Sequence, residues 1–178
     1  MTRLTRRSAL KVLHWTMVPM FVWFTFVQPA DVARWGNWWV DLHSTFGLVF
    51  VSLALLWFAD YLRRGLTGRP GPKLPDWGKR LHRALHVMLV WGMFLVAVTG
   101  FFLGLTASTQ LFAGDLVPIA VPIDRPVLND WIGVIHSIEF YGLAAIAAAH
   151  AAFHIWRHVQ LKDNALRIMM PQVVHRWL

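Results

Sequence analysis

Four stretches of the chain, roughly residues 9–28, 42–62, 84–105 and 131–156, are strongly apolar and carry at most one charged residue each. Each is long enough to cross a hydrocarbon core about 30 Å thick, which takes about 20 residues of α-helix. None shows the period-two alternation of a membrane strand, and an open sheet could not satisfy its edge hydrogen bonds in lipid. The pattern predicts an all-α membrane protein, a four-transmembrane-helix bundle forming a single domain over residues 1–178. No internal repeat or low-complexity segment interrupts it.

The connections differ in charge. Residues 63–83, from Arg63-Arg64-Gly65 through Arg69-Pro70-Gly71-Pro72 to Lys79-Arg80, form a basic loop punctuated by proline and glycine. Residues 106–130 carry Asp115, Asp124 and Asp130 and have room for a short surface helix. The N-terminus, the 63–83 loop and the C-terminal tail hold 15 of the 17 Lys and Arg, leaving Arg34 and Arg125 for the other side. Positive charge stays inside, which places both termini in the cytoplasm. The net charge of +8 therefore reports topology, and no nucleic-acid partner is needed to explain it. Trp15, Trp35, Trp38, Trp39, Trp77, Trp131 and Trp156 gather near the span ends as an interfacial belt. Thr5-Arg6-Arg7-Ser8-Ala9-Leu10-Lys11 resembles a twin-arginine signal. The apolar run after it is longer than a signal core and lacks a small-residue cleavage site, so it reads as a retained span. The tail after Asn164 is expected along the membrane surface.

With no cysteine in the chain, thiolate-held haem, iron–sulfur clusters and covalent haem attachment are excluded. Nine histidines remain, and His14, His43, His86, His136, His150 and His154 fall within or at the ends of spans. Polar side chains at membrane depth are costly and usually functional, although any single histidine could merely hydrogen-bond across the bundle. Their arrangement says more. His136 and His150 are 14 residues apart, about 40° short of four turns and ~21 Å along one helix, so both face one side near opposite surfaces. His14 lies near the cytoplasmic end of the first span and His43 near the periplasmic end of the second. Two levels, each with a histidine from the fourth span and one from another helix, suit two stacked bis-histidine haems. His154, five full turns from His136, fits the cytoplasmic level on angle as well as His150, and His86 is a further candidate. Gly47, Gly100, Gly104 and Gly142 would let a flat macrocycle approach, or simply let helices pack closely.

Leu13-His14-Trp15, His43 with Gly47, His86 with Gly100, the series His136, His150 and His158, and Lys162-Asp163-Asn164 followed by Met169-Met170-Pro171 resemble the prokaryotic cytochrome b-561 family over nearly the whole chain. That family of di-haem membrane proteins includes superoxide:ubiquinone oxidoreductase and is related to the cytochrome b subunits of nickel–iron hydrogenase and formate dehydrogenase. The resemblance implies two haem b groups, the cytoplasmic-side one on His14 and His150 and the periplasmic-side one on His43 and His136. It also implies a ubiquinone or menaquinone site near the cytoplasmic haem, at His86 and His158. Arg157 and Lys162, beside that site, could steer propionates or protons, or simply be membrane-surface cations.

The resulting expectation is transmembrane electron transfer, as a quinone-linked oxidoreductase, between membrane quinone and a periplasmic donor: superoxide, a c-type cytochrome or another redox enzyme. The segment Asn129-Asp130-Trp131-Ile132-Gly133 departs from the base-rich surface that a superoxide-oxidising member would need. The rival expectations are a non-catalytic anchor subunit of a periplasmic oxidoreductase and a histidine-lined carrier of divalent metal. Transport sites usually add carboxylates, and Glu139 is the one acid clearly inside a span.

Overall fold

The computed structural model describes residues 5–36, 38–68, 70–114, 116–118 and 120–177; Arg69 and Asp115, counted above among the loop charges, lie outside them. Four of its helices are long and apolar enough to cross a membrane. Helix α1 (Arg6–Phe26) starts at Thr5, whose hydroxyl accepts the Ser8 amide at 3.2 Å, a side-chain cap on an otherwise orphaned donor. A short helix α2 (Pro29–Val32) and a 3-10 turn (Ala33–Trp35) lead to α3 (Trp38–Arg64). Helix α4 (Asp76–Thr106) and helix α5 (Pro126–Gln160) complete the four spans, and α6 (Ala165–Met169) with a 3-10 turn (Gln172–Trp177) forms the tail.

The helices outrun the apolar stretches that announce them. Hydropathy marks only the part that lies in lipid, whereas α5 at 35 residues is ~52 Å long. Its start is set by Pro126, whose missing N–H costs nothing in a first turn. Asp76 in the first turn of α4 complements the helix dipole there, so the helix begins well before the apolar run. Among its described residues, the connection after α4 holds no surface helix. Phe112–Ala113 pairs antiparallel with Val117–Pro118, and Gly114 takes the left-handed φ of +59° that the reversal requires. The Gly114 amide donates to Thr45 Oγ1 at 2.7 Å, which pins the hairpin to α3.

Helices α4 and α5 run side by side as the most extensive pairing, and α3 packs against both α4 and α1. The approach is closest at Gly92, where a Cβ would lie 2.8 Å from Leu143 Cδ1. A small residue here lets the neighbouring helix in, the usual device where lipid removes any hydrophobic drive between helices. Asn129 Nδ2 donates to Leu103 O and Thr106 Oγ1, both at 2.8 Å, closing the α4–α5 pair at its other end. Helix α1 and helix α5 are not among the closely packed pairs. They meet through side chains at mid-depth, where the rings of Phe21 and Phe140 stand 5.2 Å apart. Around them Met17, Phe24, Phe50, Val96 and Leu143 form the apolar core. The opposite faces expose Val12, Leu56, Phe101, Ile138 and Ile155, as lipid-facing positions should.

An even number of spans leaves both termini at one end of the bundle. Trp15 Nε1 donates to Met169 O at 2.7 Å, holding the tail against α1. At the same end Arg6 clamps Asp60 through Nε at 2.9 Å and Nη2 at 2.7 Å.

Candidate functional site

The histidines occupy two levels separated by the aromatic core. At the end away from the termini, His43 lies one turn into α3 and His136 ten residues into α5. The two imidazoles lie within electrostatic reach of each other. Phe24 and Trp23 of α1 wall His43, with ring centroids at 5.0 and 6.0 Å. Gly100 of α4 leaves room for the His136 ring, since a Cβ there would stand 3.3 Å from its Cε1. The Nδ1 of His136 lies 2.9 Å from Thr99 Oγ1, which is also 2.9 Å from Glu139 Oε2. Where the Thr99 hydroxyl, also 3.2 Å from Leu95 O and Val96 O, gives its proton to the carboxylate, His136 donates Nδ1–H to the hydroxyl oxygen. That fixes the tautomer and leaves the Nε2 lone pair free for a metal.

At the termini end, His14 of α1 is within electrostatic reach of both His150 of α5 and His86 of α4. The rings of Trp15 and Trp57 flank His14 at 5.4 and 6.3 Å. His150 stands 4.7 Å from His86 and 4.6 Å from His154, ring to ring. His158 lies one turn beyond His154, and its Nδ1 is buried without a partner.

Among the described residues, His14 Nδ1 and His43 Nδ1 are likewise buried without hydrogen-bond partners. An unpaired polar atom in a membrane interior is expensive, so these rings are dressed for something the polypeptide does not supply. Imidazole donors in apolar, aromatic-walled surroundings, with α1 and α5 held apart, match the needs of b-type haem. The histidines are compatible with that group, and the angular tie between His150 and His154 persists, since both rings face the same cluster.

Two features have no counterpart in the reading of the sequence. His82, almost fully buried, joins His86 and His154 in one cluster. The i, i+4 spacing of His82 and His86 was the available signal. Thr99 carried none, because a threonine in a membrane helix ordinarily bonds only its own backbone. Arg157 is held in a buried ion pair. Its Nε and Nη2 both donate to Asp163 Oδ2, at 2.9 and 2.6 Å, while Asp163 Oδ1 accepts the Ala165 amide at 3.0 Å. The turn needs positive φ at Lys162 (47°) and Asn164 (57°), so this motif is a structural lock ending α5.

The family model described as prokaryotic cytochrome b561 matches residues 6–172. No curated protein matches the chain.

Proposed function

The chain belongs to the prokaryotic cytochrome b561 family, whose members carry electrons across membranes on b-type haem, and we propose that it links a periplasmic electron donor to membrane quinone. The observation that carries this reading is the pair of histidine levels at opposite ends of α5, ~21 Å apart, with an aromatic core between them. His43 and His136 would hold one haem b, and His14 and His150 the other. Bound there, haem supplies reversible one-electron chemistry at iron; the chain sets its potential by ligand identity, burial and hydrogen bonding. Phe21, Phe50 and Phe140 keep the space between the levels dry.

By the charge rule the termini end is cytoplasmic, and there His86 and His158 would bind quinone and relay protons to it through their ring nitrogens. His158→Ala should slow quinone reduction and flatten its pH dependence without lowering haem content. Unchanged rate and profile would remove His158 from that role.

A pyridine haemochrome assay on the purified protein tests the core of the reading, and two haem b per polypeptide are expected. One haem would mean that a pair is misassigned, and none would overturn the proposal. A non-catalytic anchor passing electrons for a separate periplasmic enzyme gives the same haem count. It differs in showing no turnover with small soluble donors.

A further inference from the structure

We propose that His82, His86 and His154 form a three-imidazole site for a divalent transition-metal ion, best suited to zinc; the site rests on the reading in which His150, and not His154, holds the haem. One ligand atom from each residue lies within 4.8 Å of the other two. In a tetrahedral zinc site, with Zn–N of about 2.0–2.1 Å, donor atoms stand roughly 3.4 Å apart, so closure takes side-chain adjustments of about an ångström.

The donor atoms are already aimed. His86 Nδ1 sits 2.6 Å from His82 O and so carries the proton, which leaves its Nε2 as a lone pair. A backbone carbonyl on the far nitrogen is the usual support of a metal-bound histidine. A Cβ built on Gly68 would stand 3.7 Å from Nε2 of both His82 and His86, so the two atoms converge on one spot beside Gly68. His154 Nε2 is buried with no partner, on a ring 5.6 Å from each of the other two. Its missing partner is what a metal would provide.

Access and charge decide which ions enter. A cavity of about 670 Å³ reaches His82 past Tyr61, Gly68, Arg80 and Arg83. The nearby Arg157 is neutralised by Asp163, so the donor set itself is uncharged. Neutral imidazoles beside two arginines reject magnesium and calcium, which need oxygen ligands, and admit only ions that bind nitrogen strongly. The cluster sits at one end of the bundle, and among the described residues no second cluster continues it across the membrane. That geometry suits a fixed regulatory site rather than a transport path. The consequence rests on the quinone reading: an ion holding His86 would withdraw it from quinone and stop electron exit there.

The test uses the full-length, haem-loaded protein in lipid nanodiscs, stripped with chelator and titrated with zinc. We expect one tightly held zinc per chain by elemental analysis, unaffected by excess magnesium, with both haems retained. His82→Gln, and separately His82→Ala, should weaken zinc binding on the order of 100-fold or more while haem content stays at the wild-type value. Zinc should also inhibit quinone reduction in the wild type, and His82→Gln should relieve it. Failure to bind zinc, equal binding by both variants, or release of haem on zinc addition would each overturn the site. Zinc bound without inhibition would leave the site and overturn its regulatory role. Absent quinone reduction before any zinc is added counts against the quinone reading alone, because the binding stoichiometry is measured independently.

Discussion

Glu139 is the sole glutamate of the chain and lies about a third of the way along a membrane helix. A carboxylate there is costly unless it does something, and its partner is Thr99, which in turn holds His136. The relay gives the imidazole a more anionic character and puts negative charge near the iron that His136 would bind. Both effects favour the ferric state, so Glu139→Gln should raise the midpoint potential of the haem that His136 would hold. A shift of tens of millivolts is expected, against about 59 mV for a tenfold change in a one-electron equilibrium. Thr99→Val should shift it the same way and Thr99→Ser should restore it. Potentiometric titration of the two haem bands measures this, and an unmoved potential in Glu139→Gln would break the link. The carboxylate itself was visible in the sequence as the one acid clearly inside a span. Its partner was not, because nothing in the chain says which of many helical threonines will face a neighbouring helix.

At the scale of elements, α5 organises the molecule by carrying histidines of both levels, and this was legible from the 14-residue spacing of His136 and His150. Its end was not. Lys162-Asp163-Asn164 is visible as a motif, yet only the fold shows Asp163 turned back onto Arg157, with the two side chains 4% and 3% exposed. Removing one partner of a buried ion pair strands the other charge, at about 3–5 kcal/mol. Asp163→Ala should therefore lower the thermal midpoint markedly, followed by the haem absorbance, while leaving the two midpoint potentials near wild type. If Arg157 instead served redox chemistry directly, the potentials would move and the stability would not. The same local chemistry explains the hairpin at 112–118. Turn geometry at Gly114 and a single bond to Thr45 outweigh any helical preference in so short a stretch.

The whole molecule is electrically polar, and that polarity bears on the donor. On the side opposite the termini the sequence places Asp31, Asp41, Asp115, Asp124 and Asp130 against Arg34 and Arg125. An acidic face repels a small anion and attracts a basic protein, and such steering weakens as salt shortens the screening length to about 10 Å at 0.1 M. Reduced c-type cytochrome of basic surface should therefore donate faster than superoxide, and its rate should fall several-fold between 10 and 200 mM salt. Replacing Asp124 and Asp130 together by Asn should blunt that dependence without changing haem content, as stopped-flow reduction of the haems would show. A superoxide rate that exceeds the cytochrome rate, and rises when these aspartates are removed, would reverse the assignment of donor. Span number and charge asymmetry were both readable from the chain, because lipid leaves a helix few alternatives and topology is written in Lys and Arg. What the surface recognises depends on how those few charges are spread over one face. Kinetics against ionic strength measure that property of the assembled molecule directly.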